Sequence, residues 1–187
     1  MNRPYLLEQV DDAAVVQYYA DGFATLPLDQ KILAWHLYQA ALAGRDIYYD
    51  QRYRHALEMR EILESILTHA TGIEAATLAE IRRYTKLFWI NSGPHNNMTA
   101  RKFVLKCSPD ALRDAAEIAE REGATFPTRP GESVADMIAR LRGPFFDPAV
   151  DPLVTSKTPG AGADILQASA NNLYDGVTMV DLQGFEE

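Results

Sequence analysis

Met59, Ile62, Leu63, Ile66 and Leu67 fall at i, i+3, i+4, i+7 and i+8. Only a helix brings that set to one side. A face so uniformly apolar must lie against another apolar surface, so the chain has to fold as helix on helix or helix on sheet. The spacing returns at Val134, Met137, Ile138 and Leu141. On the wet side of the first helix, Arg54 with Glu58 and Arg60 with Glu64 stand four apart. Each such pair adds about 0.2–0.5 kcal/mol and supports the helix without speaking to function.

Punctuation residues divide the rest. Asp11 or Asp12 is placed to cap a short helix through Val15, Val16 and Tyr19, ending near Gly22. Thr25 followed by Pro27 reads as a cap-then-proline entry into a second helix. That helix carries Ile32, Leu33, Trp35, Leu37, Ala40, Ala41 and Leu42 around most of its circumference, which predicts a central helix buried on several sides. Gly72 is a stop for the helix of Met59. Another runs from about Glu74 to Asn91 and must break at Gly93-Pro94. Ser108-Pro109-Asp110 opens one with Leu112, Ala115, Ala116 and Ala119 on one face, closed by Gly123. Ser133 precedes the helix of Val134, and Gly143-Pro144 ends it.

The composition then changes. Residues 143–164 hold four prolines and three glycines in 22 positions. Phe145, Phe146, Val150, Leu153 and Val154 are too apolar for a solvated linker, which predicts an ordered arm laid over the helices. Thr178 caps a last short helix through Val180 and Leu182. Alternating runs of strand type are essentially missing. The expected fold class is mainly α: a multi-helix, bundle-like domain over residues 1–143, with a Pro/Gly-rich ordered C-terminal arm over residues 144–187.

Charge narrows the partners. The net charge of −8 argues against a nucleic-acid coat, since phosphate binding needs clustered Lys and Arg. Residues 144–187 hold one base and seven acids, so the acidity lies in the tail. No apolar run approaches the ~20 residues of a membrane span. No secretory leader is legible at the N-terminus, and the single cysteine, Cys107, admits no intrachain disulfide. Together these point to a cytoplasmic protein.

The candidate chemistry is sparse. His36, His55, His69 and His95 include no pair three to five apart, so no helical zinc pair is present. His36 reads as a packed helix histidine, His55 and His69 as surface residues. No phosphate-binding glycine loop and no nucleophile elbow occurs. Cys107 follows Lys106 and precedes a helix start, both of which would lower a thiol pKa. Residues 82–106 carry Arg82, Arg83, Lys86, Arg101, Lys102 and Lys106 without an acid, interleaved with Tyr84, Phe88, Trp89 and Phe103. That mixture can bind single strands by stacking, but in a chain of net charge −8 it reads first as a core face with its bases paired to acids elsewhere, the acidic arm being the candidate partner. The loop Asn91-Ser92-Gly93-Pro94-His95-Asn96-Asn97-Met98 is the most polar, donor-rich connection in the chain, of a kind that carries recognition or caps a helix.

Three runs resemble the dipeptidyl peptidase III family of zinc metallopeptidases, its bacterial branch in particular. They are Gln30 to Gln51 (QKILAWHLYQAALAGRDIYYDQ), Tyr84 to Met98 (YTKLFWINSGPHNNM) with Lys102-Phe103-Val104, and Asn171 to Thr178 (NNLYDGVT). They occur in the family's order and span most of the chain. The resemblance implies part of a two-lobed enzyme that releases dipeptides from the N-termini of short peptides. In that family two histidines of a His-Glu-x-x-Gly-His helix and a downstream glutamate hold zinc, and the motif glutamate activates the water. No such motif occurs in this sequence. No catalytic or metal residue therefore carries over, and zinc is implied for the full-length enzyme and not for this chain. What remains is the N-terminal helical region, inactive alone, with the rest of the peptidase as its partner. Asn91, His95, Asn96 and Asn97 then form the loop expected to face the substrate cleft or an interface. A region detached from its second lobe should also expose apolar surface and can form a homodimer through it. The alternative is a stand-alone binding module using residues 82–106, or a small enzyme using Cys107 or His95.

Overall fold

The computed structural model describes residues 3–185. The chain divides into two compact units, between Tyr48 and Tyr49. It is mainly helical, with one small two-stranded sheet.

The first unit opens with a β-hairpin, β1 (Leu6–Val10) and β2 (Ala13–Val16), where a short helix was expected. The strands pair antiparallel, with Val10 opposite Ala13 and Leu6 opposite Val16. Asp11 turns the chain at φ 52°, a left-handed conformation that aspartate tolerates. The β-branched Val10, Val15 and Val16 favour the pleat, and the aspartates serve the turn and cap nothing. After a 3-10 turn at Asp21–Thr25 comes α1 (Leu28–Ala43). Thr25 does not cap it: its hydroxyl donates to the Gly22 carbonyl at 2.8 Å. None of the residues of α1 is buried, and within the described residues of its own unit the helix is not enclosed on several sides as expected. His36 is correspondingly exposed and not packed. Helix α2 (Arg45–Arg52) runs across the division into the second unit.

The second unit holds the core. Helix α3 (Ala56–Thr68) places Met59, Ile62, Leu63 and Ile66 fully inside, as their spacing requires. Its Glu58 pairs with Arg140 across the fold and not with Arg54, while the Arg60–Glu64 pair forms at 3.8 Å. Helix α4 (Ala75–Asn91) starts where the Glu74 carboxylate accepts the N–H groups of Ala76 and Thr77, at 2.8 and 2.6 Å. Those two bonds hold the Glu74 carboxyl below the usual range. Helix α5 (Pro109–Arg121) is capped by Ser108 and presents Leu112, Ala115, Ala116 and Ala119 to the core. Its alanine stripe lets α3, α4 and α6 (Val134–Arg140) approach closely. A Ser133–Asp136 capping box starts α6.

The chain does not leave helix at Gly143-Pro144, as expected. It breaks at Leu141 and restarts as α7 (Arg142–Phe146), which tolerates Pro144 in its first turn. Phe145 then packs beside Tyr84 with ring centroids 6.1 Å apart. Residues 147–178 contain no helix or strand, yet they are bonded in place. Lys102 N–H donates to Pro152, Val154 N–H to Ala100, and Asn172 N–H to Gln51, at 2.8–3.0 Å. The arm is ordered, and it belongs to the same compact unit as α3 to α7. A Thr178–Asp181 capping box opens α8 (Met179–Gln183). Among the described residues no helix is long and apolar enough to cross a membrane.

Candidate functional site

Helix α4 ends on Ser92 in the left-handed region and Gly93 at φ 141°, so the chain leaves at a sharp angle toward the arm. The Gly93 N–H closes the end on the Phe88 carbonyl at 3.0 Å. The polar loop that follows is built on two buried anchors. Asn91 donates to the Leu87 carbonyl at 2.8 Å and accepts the Asn97 N–H at 2.9 Å. His95, 1% exposed, bonds through Nε2 to the Asp151 carbonyl at 2.8 Å. Its ring meets the Tyr53 ring edge-on at 5.3 Å. Burial holds its pKa below the ordinary 6.5, so it sits neutral with the Nε2 proton toward the arm.

The same corner pins the arm. Tyr53 donates its hydroxyl to the Asp151 carboxylate at 2.8 Å, and burial followed by that bond drives the phenol far above its ordinary range. Lys102 Nζ donates to the carbonyls of Gly143, Asp147 and Val150, at 2.9, 3.0 and 2.8 Å. It thereby satisfies the C-terminal end of α7, where a positive charge is favoured. Burial pulls the ammonium down to about 8, against the Asp151 and Asp147 charges.

With the anchors inside, the tip faces out. Asn96 accepts the N–H groups of Met98 and Thr99 at 2.9 and 3.0 Å, tying the turn. Asn97, Met98 and Thr99 are exposed, Met98 at 92%. Of the four residues singled out from sequence, Asn91 and His95 thus position the loop, Asn96 shapes it, and Asn97 meets solvent. Tyr53 and Asp151 are the members that sequence reasoning missed, and Lys102 stood out only as one base of the stretch 82–106. They come from the residue after α2, the segment that follows the polar loop and the arm, and no local pattern links them.

The other candidates resolve differently. The Cys107 thiol is pushed up to about 11 by burial and then by the Glu80 charge, the reverse of the activation expected from Lys106 and the helix start. It lines a shallow depression of ≈ 330 Å³ with Glu80, Lys106 and Ser108. Glu80 there holds Arg83 at 2.7 Å and the Lys106 N–H at 2.8 Å. In the stretch 82–106, Tyr84 and Phe88 are fully buried and Phe103 packs against the core. Trp89 is half-exposed and donates its indole N–H to Glu64 at 2.9 Å. Among the described residues no three His, Cys, Asp or Glu side chains converge in a group fit to hold a metal ion.

Comparison with known protein families finds no match, and no curated protein matches the sequence.

Proposed function

We propose that this chain is the helical N-terminal region of a dipeptidyl peptidase III-like zinc peptidase. Its role is to scaffold the peptide cleft, and zinc with its water-activating glutamate comes from elsewhere in the enzyme. The observation that carries the reading is the build of the Tyr84–Met98 run. Its helix is locked into the core by Tyr84 and Phe88, and its loop is anchored by Asn91 and His95 so that the Asn97–Thr99 tip is presented outward. A rigidly supported tip that presents the exposed Asn97 carboxamide suits the backbone of an extended peptide. No bond is made or broken by this chain: it binds and orients.

Reading the gene past the codon for Glu187 is the direct test. An open frame that reaches a His-Glu-x-x-Gly-His helix, with zinc-dependent release of dipeptides by the whole product, is the expected result. A stop directly after Glu187 overturns the reading. In the active enzyme, Asn97→Ala should raise KM for short peptides several-fold with little change in kcat, the mark of lost binding and not lost chemistry.

A further inference from the structure

Helix α1 has no place to hide what it carries. Its 16 residues hold one acid, Asp29, and one base, Lys31. Leu28, Ile32 and Trp35 lie along one side, Leu33 and Leu37 along the opposite side, each 48–73% exposed. A helix apolar on opposite sides is a helix built to be enclosed. The hairpin of the same unit is no better supplied. Two strands alone are marginal in water, both outer edges are open, and Val10 is the only buried residue of the described part of this unit.

We propose that the first unit is a self-association surface, and that its occupant is the first unit of a second copy of this chain. Area supports the choice. The exposed fractions of the large apolar side chains of α1 and the hairpin sum to roughly 900 Å² at ~100–200 Å² per side chain. A stable interface takes about 800 Å² from each partner. One side of α1 alone falls well short of that, so the copies must interlock, each covering both sides of the other's helix. Charge agrees. A helix with a single acid and a single base meets its own copy without like-charge repulsion, which would cost several kcal/mol in a charged interface. A lipid surface fits poorly, because interfacial helices carry Lys and Arg around the apolar face and α1 offers only Lys31. The inference rests on this unit alone and stands or falls apart from the peptidase reading.

Sedimentation equilibrium of the 187-residue protein decides it. The expected result is a concentration-dependent dimer up to about 100 μM. Trp35→Glu and Leu37→Glu, on opposite sides of α1, should each weaken the dimer at least tenfold. Both leave helical circular dichroism and the melting of the second unit unchanged, since neither side chain is buried. Glu120→Lys, on exposed α5 surface, should leave the dimer intact. A parent protein that stays monomeric at that concentration overturns the proposal, whether α1 is then covered by further polypeptide or by nothing. So does a dimer that both glutamate variants leave untouched.

Discussion

Lys102→Met tests how the arm is held. The substitution keeps the length of the side chain and removes a cation that donates to three carbonyls of α7 and the segment after it, at 2.8–3.0 Å. Hydrogen bonds to a charged group are worth about 1.5–3 kcal/mol each in stability, so the three together reach several kcal/mol. Against that stands the desolvation of the ammonium, also several kcal/mol for an ion taken from water, and visible in the lysine's depressed pKa. The balance is a loss on the order of 3 kcal/mol, because the variant takes the charged donor from all three carbonyls and leaves that of Val150 without its donor, the Gly143 and Asp147 carbonyls keeping the N–H groups of Asp147 and Val150, while removing only one desolvated ion. At about 2–4 °C per kcal/mol for a chain of this size, the melting temperature should fall by about 6–12 °C. Hydrogen exchange should locate the damage. The amides of Leu105, Val154 and Asn172 tie the arm to its neighbours and should lose protection first, and limited proteolysis should cut within residues 147–157. A variant as stable as the parent, with an equally resistant arm, would refute the claim that Lys102 clamps it.

Three further outcomes are expected. Tyr84→Phe should be neutral or stabilising by about 1 kcal/mol, since its hydroxyl is buried without a hydrogen-bond partner and costs free energy where it is; a clear drop in the urea midpoint would reveal a partner. Burial holds both His55 and His95 below the ordinary 6.5, so the unfolded chain takes up protons that the fold refuses. The histidines' contribution to stability should therefore be complete above about pH 6.5 and lost below it, with a further loss as pH falls from 4.5 toward about 2, where the Arg140-bonded Glu132 is protonated; urea titrations at stepped pH would show a flat profile between about pH 5 and 7 if the histidines were solvated. Cys107 should resist a thiol reagent at pH 8 in the native protein and react quickly in denaturant, because its thiol lies at about 11; rapid native labelling would contradict its burial.

The helices of the second unit were legible because their causes are local. The face of Met59, Ile62, Leu63 and Ile66 follows from the 3.6-residue repeat. The starts at Ser108 and Ser133 follow from hydroxyls that reach N–H groups three residues on, and the end of α4 from a glycine and a proline. The polar loop could be picked out as a candidate, since its amides and turn residues are contiguous. Its inside and outside could not, and the reason is distance along the chain. His95 is buried by an arm residue 56 positions away. Lys102 reads as one base in a basic stretch until carbonyls 41, 45 and 48 positions on surround it. Cys107 has neighbours in sequence that would activate it and neighbours in space that do the reverse.

The first unit marks the other limit. Leu6–Val16 has the length and aspartates of a capped helix or of a hairpin, and strand pairing, which a single-strand pattern does not contain, decides between them. The apolar circumference of α1 states a demand for burial, and sequence alone meets that demand with nothing in particular. What the sequence determined by itself was every element whose energy is settled within about one helical turn. What tertiary structure alone decided was which polar groups are desolvated and paired, because burial belongs to the surroundings that the rest of the fold assembles and not to the residue.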